Sequence, residues 1–162
     1  MDKLIYINNF LHLLGISVWI GSIVFFSFGV AGTVFKNLTS KTEAGKLNGI
    51  FLKKLNKVEQ ISVTLLALTF GVYLTNSEYR TDMLFLRLIT FWIMLVIYLV
   101  YSTHITKKTE QLRDKIVDFD NLESTPERIE FNKYHKMYVK LLSANLLLGF
   151  VLLFLTGISL KI

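Results

Sequence analysis

FLHLLGISVWIGS, residues 10–22, sets a histidine, a tryptophan, two glycines and two serines into sequence otherwise apolar enough for the interior of a bilayer. Carried outward in both directions, Asn8, His12, Gly15, Trp19, Ser22, Phe26 and Gly29 recur at alternating steps of four and three. That spacing draws one seam along a helix. Lipid offers nothing to an asparagine or an imidazole, whereas a neighbouring helix does. Small side chains let backbones approach, and polar ones find interhelical hydrogen bonds. His12 is therefore expected to face other helices.

The rest of the chain repeats the pattern. Of its 162 residues 52% are hydrophobic, mean hydropathy is +0.49, and polar residues gather between long apolar runs. That is membrane patterning. Four runs, near 4–30, 58–77, 83–105 and 137–160, reach the roughly 20 helical residues needed to cross about 30 Å of hydrocarbon. Each must be helical, because hydrocarbon cannot satisfy an open backbone. The first run is too long for a signal-peptide core and lacks a strongly basic flank, so it reads as a retained span. The fold expected is an all-α, polytopic membrane protein: one four-helix transmembrane bundle of up-down topology over residues 1–162, with helical extensions at about 42–57 and 106–136. Cysteine is absent, which removes disulfides, thiolate metal sites and cysteine nucleophiles.

Charge sets the orientation. Fourteen of the eighteen Lys and Arg lie in segments 31–57 and 106–140, leaving Lys3, Arg80, Arg87 and Lys161 for the other side. By the positive-inside rule both long connections are cytoplasmic and both termini lie outside, in the cell (inner) membrane. These cations alternate with Glu110, Asp114, Asp118 and Asp120, so anionic lipid headgroups are the expected partner and nucleic acid is not. The stretch AGKLNGIFLKKLNKVEQ runs into the second span without a breaker and places Leu47, Ile50, Phe51 and Leu55 on one side. NLESTPER resets the chain, with Ser124 or Thr125 as cap and Pro126 in the first turn of a new helix.

Comparable seams run through the other spans: Glu59, Ser62, Leu66, Thr69, Tyr73 and Asn76; then Arg87, Thr90, Met94, Ile97, Tyr101, His104 and Lys108; then His135, Tyr138, Leu142, Asn145, Gly149, Leu152, Thr156 and Ser159. At about 1.5 Å of rise per residue these groups fall into two layers. His12 lies outermost with Arg87, Tyr73 and Asn8; Glu59, Ser62, Tyr101, His104 and His135 lie at the inner boundary, with Asn145 deeper. Two readings are open for His12: a hydrogen-bonded core residue beside Trp19, or an axial haem ligand or proton relay. Glu59, His104 and His135 have the composition of a two-histidine, one-carboxylate metal site, and the two histidines could equally bracket a haem b. Arg87 is expected to snorkel to the outer interface or pair with Asp82. Gly15, Gly21, Gly29 and Gly32 are read as packing glycines, and stripes of Gly and Ser could also serve a homo-oligomer or a membrane-protein partner. No phosphate-binding glycine loop, HExxH pattern or hydrolase elbow occurs, so the chain reads as non-enzymatic.

WIGSIVFFSFGVAGTVFKNL followed by AGKLNGIFLKKLNKVEQ resembles a family of small four-helix membrane proteins of unknown function. FNKYHKMYVKLLSANLLLG, with Phe131, His135 and Asn145, resembles that family's last span. The family includes the transmembrane proteins associated with cisplatin resistance; the resemblance implies the fold and assigns no chemistry. A shorter likeness, carried by His12, Trp19 and Gly21, is to the first span of copper-resistance protein D (CopD) and of HemJ-type protoporphyrinogen oxidases, where the early histidine is linked to haem. The later lysine- and arginine-bearing motifs of such an oxidase have no counterpart here. The expectation is an integral membrane protein with a packing, assembly or membrane-stress role. A haem-binding redox protein is the rival. A small-solute or metal-ion permease comes third, because no span carries paired Gly or Pro interruptions.

Overall fold

The computed structural model describes residues 3–76, 83–116, 119–120 and 125–160. Four long helices account for nearly all of them: α1 Lys3–Asn37, α2 Lys41–Thr75, α3 Leu84–Lys115 and α4 Pro126–Leu160, each long and apolar enough to cross a membrane. The protein is an all-α, multi-pass transmembrane bundle, with no strand among the described residues. At 32 to 35 residues, each helix is about 50 Å long. That exceeds a hydrocarbon core of about 30 Å, so the excess projects at the basic end of the bundle.

Local chemistry explains where the helices begin. Ser40 caps α2 by accepting the Glu43 N–H at 3.2 Å, and Thr125 caps α4 by accepting the Arg128 N–H at 3.3 Å. Both satisfy amides that the helix itself leaves open. Asp120 adds a second cap to α2, accepting the Lys41 N–H at 2.7 Å and the Ser40 hydroxyl at 2.8 Å. One short acidic segment between α3 and α4 thus holds the start of α2. Asn121 to Ser124, where the other capping candidate falls, lie outside the described residues.

Helix α1 packs on α2 and α4, and α3 packs on α4. Close approach is achieved where side chains are missing. A Cβ on Gly15 would stand 3.1 Å from Leu66 Cγ, and one on Gly149 would stand 2.9 Å from Ile20 Cγ1. Gly21 and Gly32 face open space and Gly29 meets only Phe25 of its own helix, so of the four glycines expected to pack, only Gly15 does. Between α2 and α3 the contact is made by long side chains: Arg87 over the Tyr73 and Phe70 rings, Tyr98 to the Asn56 carbonyl, and Tyr101 to Glu59. Large apolar side chains such as Phe28, Phe25, Phe85, Leu147 and Phe154 lie exposed around the bundle. This is the surface that acyl chains cover.

Two π-helical stretches, Phe25–Ala31 in α1 and Val100–Ile105 in α3, break the expected seams. In α3 both the backbone N–H and the hydroxyl of Thr106 bond the Tyr101 carbonyl, five residues back. A π turn takes up an extra residue, so everything beyond it rotates against an ideal α register. The inward series is Met94, Tyr98, Tyr101, Ile105 and Leu112, already departing from the expected seam at Tyr98 ahead of the π stretch, and His104 is exposed. In α1 Ile23, ahead of the π stretch, is buried, while within it Phe26 is half-buried and Gly29 exposed. Ile50, expected beside Leu55, is also exposed, whereas Ala44, Asn48, Gly49 and Leu55 are buried.

Candidate functional site

Of the polar groups the seams carry inward, Glu59 is the one every spanning helix reaches. It is fully buried on α2. Its Oε1 accepts the Trp19 indole N–H of α1 at 3.0 Å and the Tyr101 hydroxyl of α3. The Tyr101 oxygen in turn accepts an N–H from Asn145 of α4 at 3.1 Å. Trp19, Tyr101 and Asn145 are each buried at 1% exposure or less. Glu59 Oε2 has no partner. One carboxylate oxygen is thus held by two donors while the other is bare, an arrangement that accommodates the ion or takes up a proton.

A small cavity of about 20 Å³, room for about one water, opens at the basic end, with Gly49, Thr106, Thr109, Arg113, His135 and Tyr138 in its wall. Tyr138 closes its inner side. The tyrosine ring stands 5.3 Å from Tyr101, and its buried hydroxyl has no partner. The cavity therefore ends one aromatic side chain away from the Glu59 network.

A second polar layer lies toward the terminal end. His12 is fully buried, with its Nδ1 2.7 Å from Thr69 Oγ1. The Thr69 hydroxyl donates to the Leu66 carbonyl at 3.0 Å, so it must accept from the ring. His12 in its neutral form is therefore the Nδ1–H tautomer, and Nε2 carries a bare, buried lone pair. Asn8 donates to the Thr69 carbonyl, and the Tyr73 hydroxyl donates to Asn9 Oδ1 at 2.8 Å. The rings of Phe70 and Tyr73 meet His12 edge-on at 4.7 and 5.4 Å. Arg87 shares those two rings. At 1% exposure it does not snorkel to an interface: its planar head stacks on aromatic faces that fill the space between α2 and α3. Asp82, its expected partner, lies outside the described residues.

Between the two layers each helix supplies an apolar residue. Ile16, Leu66, Met94 and Leu152, all at 1% exposure or less, fall in sequence between the polar positions of α1, α2, α3 and α4. Ser22 bonds the Trp19 carbonyl of its own helix rather than a neighbour.

The structure separates the residues read as a metal site. His104 is exposed on the outer face of the π stretch. His135 is exposed too, stacked on Phe131 at 6.0 Å at the cavity wall. Glu59 is enclosed above them. Among the described residues no group of three His, Cys, Asp or Glu could hold a metal ion. His104 and His135 are not both at that wall, so the geometry does not present them as a pair bracketing haem. At His12 the donor chemistry suits an axial ligand, since a bare Nε2 with Nδ1–H held by an acceptor is how ligating imidazoles are oriented. The space does not: the ring is fully enclosed and a porphyrin would have to displace Phe70 and Tyr73.

Thr69, Asn9 and Tyr138 are participants that sequence patterning did not single out as site residues. Thr69 and Tyr138 stood on the seams. Their roles arise from what the partner helix places opposite them, which no single-helix period contains.

A family model described as "Domain of unknown function (DUF4149)" matches residues 14–117. No curated protein and no solved structure matches the chain, so the narrower likenesses to the cisplatin-resistance, CopD and HemJ proteins find no named counterpart.

Proposed function

The chain belongs to the DUF4149 family, and from the geometry of its buried axis we propose that the protein passes protons across the membrane, with Glu59 and His12 as the groups that hold them. One observation carries the reading: a carboxylate on α2, enclosed in the bundle, bonded to α1 and α3 and linked through Tyr101 to α4, keeps one oxygen open. Ionisable groups inside membrane spans are costly and mark ion or proton pathways. Water in the basic-end cavity reaches Tyr138, whose free hydroxyl and proximity to Tyr101 provide the next carriers toward Glu59. Beyond the apolar layer, His12 offers a bare lone pair on the terminal side. That layer acts as the gate: it blocks passage while dry and conducts when water enters, as hydrophobic constrictions in channels do. Only bonds to the travelling proton are made and broken and no substrate is converted, so the protein is not an enzyme in this reading.

A purely structural or assembly role, which complete seams would suggest alone, leaves the bare atoms of Glu59 and His12 without a purpose. A membrane-stress role is compatible with proton passage. Haem binding requires rearrangement around His12; absence of a Soret band from protein purified with added haem removes it, and a band lost in His12→Ala restores it. The positive-inside rule supports a cytoplasmic basic end, with its cavity, for a protein of the cell membrane.

The test is flux. In liposomes holding a pH-sensitive dye under a potassium diffusion potential, the wild-type protein acidifies the lumen. Glu59→Gln reduces the rate to that of empty liposomes, while Lys53→Gln on the exposed end of α2 retains it. Wild-type flux no faster than empty liposomes, or unchanged flux in Glu59→Gln, defeats the proposal.

A further inference from the structure

Arg87 is the side chain that the proton reading does not use. It lies in the first turn of α3, its N–H bonded to the Met83 carbonyl at 3.0 Å, and it is 1% exposed. Arginine stays charged in proteins. Its guanidinium carbon stands 4.8 Å from the Tyr73 ring centre and 5.7 Å from that of Phe70. The ion pairs among the described residues, Lys53 with Glu110 and Lys108 with Glu130, belong to the basic end of the bundle. No described carboxylate pairs with Arg87. Aromatic faces offset only part of the cost of burying a cation. The N-terminal end of α3 adds partial positive charge at the same place.

The bare atoms are specific. Nε and Nη2 have no partner, and their N–H bonds lie side by side on one edge of the guanidinium. That edge is a fork matched to the two oxygens of a carboxylate. His12, enclosed by the same two rings, bears no negative charge to complete it.

We propose that Arg87 is the anchor of a carboxylate-binding site at the terminal end of the bundle, its Nε–H and Nη2–H gripping both oxygens of a small monocarboxylate. The acid arrives either from water, as a short-chain anion, or from the bilayer, as a fatty acid whose tail stays in lipid. The site stands independently of proton passage.

The test uses the full chain in detergent, in a sulfate buffer at constant ionic strength, titrated with acetate, decanoate or chloride while thermal unfolding is followed. Acetate or decanoate raises the midpoint saturably, by about 5 °C or more at saturation, and chloride does much less. Which of the two acts identifies the source. Arg87→Lys keeps the charge but loses the fork, and its carboxylate response falls to the chloride level. Should that variant not fold, solid-state NMR of wild-type protein with ¹⁵N-arginine and carboxyl-¹³C ligand reads the contact directly, as dephasing at an arginine side-chain nitrogen. Equal responses to chloride and carboxylate, no response, or a carboxylate response unchanged in Arg87→Lys overturns the site; so does the lack of any ¹³C–¹⁵N dephasing.

Discussion

Replacing Tyr101 by phenylalanine isolates the hydrogen bonds that join the four helices. Tyr101 is fully buried, with its ring against Tyr98 at 5.7 Å and Tyr138 at 5.3 Å. Phenylalanine keeps that ring and opens no cavity, so only the hydroxyl is removed. Glu59 Oε1 still accepts from Trp19. Asn145 does worse: Tyr101 is its hydrogen-bond partner, and its Oδ1 already has none. Interhelical hydrogen bonds in membranes average about 0.6 kcal/mol, while a buried polar group stripped of its partner costs about 1–3 kcal/mol. The sum for Tyr101→Phe is about 2–4 kcal/mol, or a midpoint lowered by about 4–16 °C. Asn145→Leu removes one of the same bonds, so the double variant should fall short of additivity by about 1 kcal/mol. SDS-driven unfolding, followed by tryptophan fluorescence, measures all four corners of the cycle. A Tyr101→Phe variant as stable as wild type, or strictly additive effects, would refute the network as the element that ties the bundle together.

Other perturbations test the basic end. A Cβ at Gly49 would stand 2.0 Å from Arg113 Nη1, so Gly49→Ala should expel the Arg113 side chain and break its bond to the Gly45 carbonyl. The expected loss is about 0.5–1.5 kcal/mol, with faster amide exchange in Gln111–Lys115. At Asp120 the Lys41 N–H, with the Ser40 hydroxyl and the Thr42 donors, holds the carboxyl below its ordinary range. The folded protein therefore binds fewer protons there than the unfolded chain, so the cap's contribution is complete above the normal carboxylate range and fades as pH falls through it. Amides at Lys41–Glu43 should exchange faster as the medium is acidified, and Asp120→Asn should flatten that dependence. A reporter active only in the cytoplasm, fused after Ile162, should stay silent, and the protein's basic end should bind anionic vesicles more tightly than neutral ones, less so in high salt.

The number of spans, their helical state and the start of α4 at Pro126 follow from composition, hydrophobic run length and capping residues, because these depend on short stretches and on a solvent that tolerates no open backbone. The inward faces of His12, Glu59, Arg87, Tyr101 and Asn145 were legible for the same reason: a helix of known period converts spacing into direction. That conversion holds only while the period holds. In α3 the inward face runs through Tyr98, Tyr101 and Ile105, beside a π turn at Val100–Ile105 that no glycine or proline announces, and His104 falls outside it. Burial of Arg87 instead of its escape to the interface depended on two aromatic rings from another helix. Which nitrogen of His12 carries the proton, and which carboxylate oxygen of Glu59 stays open, likewise come from partners 57 and 40 residues away. Direction is a property of one helix and is written in its own residues; satisfaction of a buried polar atom is a property of two or more helices, and exists only once they have packed.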